Sequence, residues 1–218
     1  MALTPERARA YYDWFGSKQD SQAFYENPAI DDLIAHAAFD SAEHVLEFGC
    51  GTGRFASGLL ANYLPQTATY LGVDLSRTMV DLTRKRLAPY DGRAKVVLSD
   101  GAVKFPLPDH SVDRVISTYV LDLLSETDMQ QAIAESLRVL APGGRLCLAS
   151  LTTGTTVASR AVSEIWTTIY RLHASLVGGC RPIQLQSLLP SEDWTIQHRN
   201  IVSRFGIASE VLVAAPAS

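Results

Sequence analysis

The stretch Glu47-Phe48-Gly49-Cys50-Gly51-Thr52-Gly53 decides the predicted fold of this 218-residue chain. It ends a strand-like apolar run over residues 44–48 and leads into a helical pattern that starts near Phe55. Glycines at such a junction let the backbone turn sharply and approach a ligand closely, because they lack a Cβ atom. The free N–H groups at the start of the next helix can bind carboxylate or hydroxyl oxygens. The stretch therefore predicts a ligand-binding corner in an α/β sheet.

Strand and helix patterns continue to alternate after this corner. Strand-like runs are found at residues 69–73, 95–98, 112–119 and 145–151, and helix-like runs at residues 77–87 and 129–140. The Pro142-Gly143-Gly144 turn ends the last of these helices. Such alternation favours a mostly parallel sheet with helices on both faces and right-handed crossovers. Two further strand-like runs, residues 194–203 and 209–214, lie so close in sequence that we expect an antiparallel hairpin.

The flanking segments do not follow this rhythm. Helical patterns occupy the N-terminal part, with a second helix predicted over residues 28–39, and residues 155–178 resemble one long or broken helix. We predict a single domain, residues 1–218, in which a helical N-terminal segment (1–40) and a later segment (152–190) cover a pocket at the strand ends.

Composition excludes several classes of protein. Hydrophobic residues make up 47% and charged residues 19%, which indicates a globular domain rather than a disordered chain. The net charge of −4 argues against a nucleic-acid partner, and we expect the densest basic cluster, Arg84-Lys85-Arg86, to be a solvated helix face. The three scattered cysteines predict neither a disulfide framework nor a metal site. With no secretion signal and no apolar run of ~20 residues, we expect a cytoplasmic protein without a transmembrane segment.

An acidic residue strengthens the prediction of a nucleoside site. Asp74 ends the second strand, 21 residues after Gly53, where a carboxylate can accept hydrogen bonds from both ribose hydroxyls of an adenosyl ligand. A dinucleotide motif, Gly-x-Gly-x-x-Gly, counted from Gly49 would need glycine at Arg54. Counted from Gly51 it would need glycine at Ala56, where alanine is tolerated. NAD is therefore disfavoured, and a NAD-dependent oxidoreductase stays an alternative.

The spacing Glu-x-Gly-x-Gly-x-Gly resembles motif I of class I S-adenosylmethionine (SAM)-dependent methyltransferases. Two further stretches, residues 97–113 and 137–146, resemble the segments of that family that follow its third strand and precede its fifth. The resemblance covers about residues 40–152 and is nearest to the ubiquinone/menaquinone-biosynthesis group. It implies a Rossmann-like, seven-stranded, mostly parallel sheet with a C-terminal antiparallel hairpin.

The resemblance also implies the cofactor contacts. The backbone of Gly49 and Gly51 would lie against the methionine and ribose, and Cys50 and Gly53 belong to the same loop. Glu47 would lie near the methionine amino group. The remaining implied contacts are Asp74 with the ribose, Leu75, Met79, Asp100 and Gly101 with the adenine, and Thr118 and Tyr119 with the sulfonium. The product would be S-adenosylhomocysteine (SAH).

The acceptor side of the reaction leaves alternatives open. Methyl transfer from a sulfonium needs a base only when the acceptor carries a proton to remove. The candidates for a catalytic role are Asp122, His173 and Tyr12. For substrate binding they are Tyr11, Tyr12, Tyr170 and Arg181. We predict an enzyme that acts on a small, partly apolar acceptor and that can form a homodimer. The other alternative is a non-catalytic SAM-binding protein.

Overall fold

The computed structural model describes residues 3–217, in which seven strands form one sheet in the order β3-β2-β1-β4-β5-β7-β6. The strands are β1 His44–Phe48, β2 Thr69–Asp74, β3 Ala94–Leu98, β4 Val112–Thr118, β5 Leu140–Leu151, β6 Trp194–Arg204 and β7 Ile207–Pro216. Strands β1 to β5 pair in parallel, and β7 is antiparallel to both β5 and β6. The predicted mostly parallel sheet with a C-terminal hairpin is confirmed.

Six α-helices surround the sheet in the described part of the chain. They are α1 Pro5–Phe15, α2 Ala23–His36, α3 Arg54–Asn62, α4 Arg77–Leu87, α5 Glu126–Val139 and α6 Val157–His173. None of the helices within residues 3–217 has an apolar segment long enough to cross a bilayer.

The hydrophobic core lies on both faces of the sheet. Along β1, Val45 packs into the cluster that holds the buried residues of α2 and α3, and the next residue, Leu46, packs into the cluster that holds those of α5. Strand β4 alternates in the same way, with Ile116 on the first face and Val115 on the second. Successive strand residues point to opposite faces, so continuous apolar runs are required in strands covered on both sides.

Two predicted boundaries differ from the structure. Helix α2 starts at Ala23, five residues before Pro28, and it ends at His36 because Ala38 adopts a left-handed conformation. Pro28 therefore lies inside the helix instead of starting it. Strand β5 starts at Leu140, before the predicted turn: Val112 pairs with Leu140 and Arg114 pairs with Arg145, so residues 141–144 bulge within the strand.

The sheet topology positions the candidate site. The strand order reverses between β1 and β4. The connection after β1 leads to β2 on one side of this point, and the connection after β4 leads to β5 on the other side. In open α/β sheets, ligands bind outside the carboxyl ends of the strands at such a reversal. The glycine-rich stretch follows β1 at this point.

Candidate functional site

The loop after β1 is held to the end of β2 by hydrogen bonds. The Gly49 N–H donates to the Val73 carbonyl at 2.7 Å, and the Gly51 N–H donates to one carboxylate oxygen of Asp74 at 2.8 Å. The other oxygen of Asp74 accepts from the Ser76 N–H at 2.9 Å. Asp74 thus joins the two loops, and each of its oxygens keeps a lone pair for a further donor.

Glycine is required at two positions of this loop. Gly49 has φ +80°, and a Cβ atom there would collide with the side chain of Val120. Gly53 has φ +74°, and its Cβ atom would lie 2.7 Å from Thr83. Positive φ is costly for residues with a side chain, so these glycines let β1 turn into α3 while the backbone stays close to its neighbours.

A cleft with an empty volume of about 950 Å³, part of it open to solvent, lies over this corner. Its floor consists of strand ends and the loops after them, and the N-terminal segment from Leu3 to Gln19 closes it from above. Residues that line it include Leu3, Pro5, Ala8, Tyr12, Gln19, Phe48, Gly49, Gly51, Asp74, Leu75, Met79, Ser99, Gly101, Thr118, Tyr119, Val120, Leu123 and Leu124. Most of these groups are apolar, with Asp74 as an acidic group on the floor.

A second cavity of about 460 Å³ lies on the other side of the glycine-rich loop. Five residues line both cavities, namely Gln19, Gly49, Gly51, Thr118 and Tyr119. The second cavity is the more acidic one, because Asp20, Glu26 and Glu47 line it together with Arg54. The shared residues make the two cavities neighbouring compartments of one site.

Burial raises the pKa of three acidic groups around the two compartments, Glu47, Glu26 and Asp74. The pKa of Glu47 rises to about 8 against the opposing effect of a 2.6 Å hydrogen bond from the Tyr70 hydroxyl. Burial raises the pKa of Glu26 to about 7, although Arg54 lies 3.0 Å away and lowers it. The pKa of Asp74 is raised to about 6 by burial, which leaves this carboxyl largely ionised at neutral pH.

Tyr119 occupies an uncommon backbone conformation at the junction of the compartments. Its φ is +56°, directly after β4 ends. Its hydroxyl lies 2.8 Å from the Ser209 hydroxyl, and its ring packs edge-on against that of Tyr25 with centroids 5.9 Å apart. A non-glycine residue with positive φ costs of order 1 kcal/mol or more and persists where the surroundings hold it, often at functional sites.

The segment between α1 and α2, a 3-10 helix at Gly16–Gln22, is tied to the site by a partly buried ion pair. Arg86 donates to Asp20 at 2.7 Å and to the Thr52 hydroxyl at 2.9 Å. Arg84 donates to the Val96 carbonyl at 2.9 Å. Arg84 and Lys85 are exposed, as predicted for a solvated helix face, whereas Arg86 is partly buried where it pairs with Asp20.

The structure brings most of the predicted cofactor residues together. Gly49, Gly51, Asp74, Leu75 and Met79 line the main cleft, as do Gly101, Thr118 and Tyr119, whereas Glu47 and Cys50 line the second cavity. Two residues are placed differently. Gly53 shapes the loop without lining either cavity, and Asp100 is exposed at the rim, where its carboxylate accepts a 2.9 Å hydrogen bond from the Ala102 N–H.

Of the predicted acceptor-side residues, Tyr12 alone lines the main cleft, and its hydroxyl donates to the Gly178 carbonyl at 3.4 Å. Tyr11 packs beside Gly178 instead. His173 is exposed at the end of α6, outside the buried face that runs through Ser159, Ser163 and Tyr170. The geometry therefore does not support a catalytic role for His173.

Arg181 and Tyr170 also lie away from the cleft. The Arg181 guanidinium donates to the carbonyls of Asp122 at 3.2 Å and Leu124 at 2.6 Å, and it lies 5.8 Å from the centre of the Tyr170 ring. Its hydrogen-bond donors are used to hold the loop after β4, so the predicted contact with an anionic substrate group finds no support.

Asp122 is fully buried one layer beneath the cleft. Its neighbours Val120 and Leu123 line the cleft, while one of its carboxylate oxygens accepts from the Leu151 N–H at 3.2 Å. Burial raises its pKa to about 7. The other oxygen is buried and has no hydrogen-bond partner within residues 3–217.

The two predicted covers differ in their roles. Residues of the N-terminal cover line both cavities, whereas no residue of 152–190 lines either cavity in the described part of the chain. Gly178 and Gly179 pack instead against Tyr11 and Leu3, behind the N-terminal segment. The later segment supports the cover, and residues 3–20 form it.

Two residues of the site carried no signal in the sequence. Gln19 lies between the two cavities, and its side-chain oxygen is buried without a hydrogen-bond partner in the chain described. Asp13 accepts hydrogen bonds from the Ser76 hydroxyl and, at 3.1 Å, from the Thr78 N–H. Neither residue belongs to a local motif, and both act on loops more than 30 positions away.

The part of the chain that forms this corner resembles known proteins. Residues 45–144 match the profile of a methyltransferase domain. These residues form a methyltransferase domain. The ubiquinone/menaquinone biosynthesis C-methyltransferase UbiE of Geobacter sulfurreducens is 32% identical over 137 residues, which cover 62% of this chain and 51% of that protein. The chain spans about half the length, or less, of the first curated relatives that it matches.

Solved structures share the fold of this methyltransferase domain and the elements around it. The [4+2]-cyclase SpnF superposes with a TM-score of 0.73 at 19% identity, covering 98% of this chain and 97% of SpnF. The N-methyltransferase NodS of Bradyrhizobium japonicum, solved with SAH, gives 0.67 at 18% identity, covering 88% of each chain. The predicted Rossmann-like fold of class I methyltransferases is confirmed.

Proposed function

We propose that this methyltransferase domain binds SAM across the ends of β1 and β2 and transfers its methyl group to a small, partly apolar acceptor, leaving SAH. One observation carries the proposal. A buried, largely ionised Asp74 faces the cleft from the end of β2 and is hydrogen-bonded to the glycine-rich loop at Gly51. This pair combines a close backbone approach with a carboxylate that can accept two hydroxyl donors.

The residues present fit SAM on three counts. Asp74 retains one lone pair on each oxygen, which suits the two ribose hydroxyls. Gly49 and Gly51 present backbone without a side chain to the cleft, which allows a ligand to approach closely. The buried oxygen of Gln19 lacks a donor, and the methionine amino group would supply one. A buried acceptor without a partner costs roughly 1–3 kcal/mol, which such a ligand would recover.

The two compartments divide the cofactor in this proposal. Adenosine occupies the main cleft, with Leu75 and Met79 against the adenine and the Gly101 backbone beside it. Asp100 would reach the adenine amino group from the rim. The methionine part occupies the second cavity near Glu47 and Gln19, and the sulfonium lies at the junction, beside Thr118 and Tyr119.

The protein's task in the reaction is mainly alignment. Bound SAM supplies a methyl carbon made electrophilic by the adjoining sulfonium. The chain holds the acceptor in line and keeps water out, which the N-terminal cover does through Tyr12 and Leu3. The departing thioether is neutral and needs no acid. A base is needed only where the acceptor carries a proton to remove, and of the three predicted candidates Tyr12 alone lines the cleft.

The acceptor class follows from the lining of the main cleft. Beyond Tyr12 and Thr118, the wall includes the apolar Leu3, Val120, Leu123 and Leu124, together with the polar Ser125 and Asp128. Apolar walls with few polar groups favour a small molecule with an apolar part. The absence of a net positive charge, at −4, also favours a small molecule over nucleic acid.

Calorimetric titration of the full chain with SAM, SAH and NADH tests the cofactor. We expect SAM and SAH to bind and NADH to give no heat. The Asp74→Asn variant should bind SAM about tenfold or more weakly, because an amide offers one acceptor where the carboxylate offers two and leaves buried donors unpaired. Asp81→Asn, on the exposed face of α4, is the matched control. Equal SAM affinity in the Asp74 variant would contradict the ribose assignment.

Turnover of SAM to SAH with a panel of small acceptors tests the reaction. We expect apolar ring compounds and amines to be methylated before sugars or amino acids. Binding of SAM without turnover on any acceptor would favour the alternative of a non-catalytic SAM-binding protein. It would also open a reaction other than methyl transfer, since SpnF is named a cyclase and shares this fold.

A further inference from the structure

A group of three polar side chains lies on the outside of the fold, apart from the cleft. Asp32 and His36 are four residues apart on α2, and His198 lies on the edge strand β6, directly after a register shift. His36 is ten residues beyond Glu26, or about 15 Å along the helix from the second cavity. Neither cavity described above includes any of the three residues.

Both imidazoles direct a nitrogen toward Asp32. The Nε2 atom of His198 lies 2.9 Å from one carboxylate oxygen of Asp32. The Nδ1 atom of His36 lies 3.6 Å from the other carboxylate oxygen and 2.8 Å from the Asp32 carbonyl. The two rings stack with centroids 3.5 Å apart at an angle of 4°. One donor atom from each residue lies within 4.8 Å of the others.

We propose that Asp32, His36 and His198 bind a divalent transition-metal ion of the zinc class. Two imidazole nitrogens and one carboxylate oxygen are ligands that this class prefers, and positions four apart on a helix place two ligands on one side. The remaining coordination positions go to water, because all three side chains are partly exposed. Binding in the plane of both rings requires His36 to rotate out of the stack, which its 43% exposed side chain allows.

The ion would join α2 to the edge strand β6. These elements are more than 150 residues apart in sequence, and the same α2 carries Glu26 and Ile30 to the second cavity. The site is therefore structural. The sequence predicted no metal site because the ligands come from two segments that are far apart in the chain. The three cysteines are buried and do not compete for the ion.

Titration of the purified full chain with Zn²⁺ against a chromophoric chelator tests the site. We expect one ion per chain and a melting temperature that rises with added Zn²⁺. The His36→Asn/His198→Asn double variant should lose at least about tenfold in affinity and most of the thermal shift. His44→Asn removes an exposed imidazole that bonds to Thr69 instead, and it should behave as the unmodified protein.

A second measurement does not depend on how the variants fold. In NMR spectra of the unmodified chain, Zn²⁺ should shift the ring signals of His36 and His198 and leave those of His44, His110 and His173 in place. Unshifted signals of His36 and His198, or equal Zn²⁺ affinity in the folded double variant, would overturn the proposal. Neither result would bear on SAM binding.

Discussion

The Asp13 carboxylate accepts a hydrogen bond of 2.5 Å from the Ser76 hydroxyl. Asp13 lies near the end of α1, and Ser76 caps the start of α4, two residues after Asp74. Although burial raises the pKa of Asp13, hydrogen bonds from Ser76 and Thr78 lower it below its usual value. This contact fixes the N-terminal cover to the loop that carries Asp74, so we expect closure of the cleft to be coupled to the proposed ribose contact.

Asp13→Ala should release the cover without removing any lining residue. We expect SAM affinity to fall several-fold and the free energy of unfolding to fall by about 1–2 kcal/mol, the usual loss for a hydrogen-bonded carboxylate. Hydrogen exchange should accelerate in α1 and remain unchanged in α5. Asp31→Ala, exposed on α2, serves as the control. Unchanged exchange in α1 would show that other contacts hold the cover.

Binding of SAM should depend on pH through Asp74. Its pKa is raised to about 6 by burial, and the ionised form is the one that accepts hydroxyl donors on both oxygens. As the pH falls from 7.5 to 5, we expect SAM affinity to decline about tenfold. In Asp74→Asn this decline should be absent over that range, and any remaining slope would come from Glu26 and Glu47. A decline of equal size in the variant would contradict the assignment to Asp74.

The contacts that the sequence could not predict join residues that lie far apart in the chain. The glycine-rich stretch and Asp74 belong to local patterns, a strand end and its loop, and the structure places both at the cleft. Asp13 with Ser76 and Asp20 with Arg86 join residues more than 60 positions apart, so no local period indicates them. Arg181 shows the reverse case: a turn arginine suggested an anion site, while backbone carbonyls 57 and 59 positions away use its donors.

Two glycine substitutions should have opposite effects on stability. Gly49→Ala introduces a side chain at φ +80° against Val120, so we expect loss of SAM binding and a fall in the free energy of unfolding of at least about 1–2 kcal/mol. Gly58→Ala lies within α3, where a Cβ atom meets nothing within 4 Å, and it should stabilise the protein by about 0.5–1 kcal/mol. Urea unfolding measures both. A stable, SAM-binding Gly49→Ala would disprove the close approach.

Asp122 should limit stability at alkaline pH. Its pKa is raised to about 7 by burial, against about 3.9 in the unfolded chain, so the folded state holds a proton between these values that the unfolded state has lost. Protonation of Asp122 therefore stabilises the folded state as the pH falls through 7. Above that pH, ionisation of the buried carboxyl destabilises the folded state. Asp122→Asn, which can still accept from Leu151, should be more stable than the unmodified protein at pH 8.5, by up to roughly 4 kcal/mol. The difference should narrow by pH 5, and a variant less stable at pH 8.5 would contradict this account.

Gln19→Leu should separate ligand binding from stability. The Gln19 oxygen is buried without a partner, so removing it relieves a cost of roughly 1–3 kcal/mol and the free energy of unfolding should stay level or rise. SAM affinity should nevertheless fall about tenfold, because the methionine amino group loses its acceptor. Gln22→Leu, at the end of the same 3-10 helix, lines neither cavity and should change neither quantity. If Gln19→Leu lowered stability and left SAM affinity intact, Gln19 would be a packing residue, and the second cavity would need another ligand.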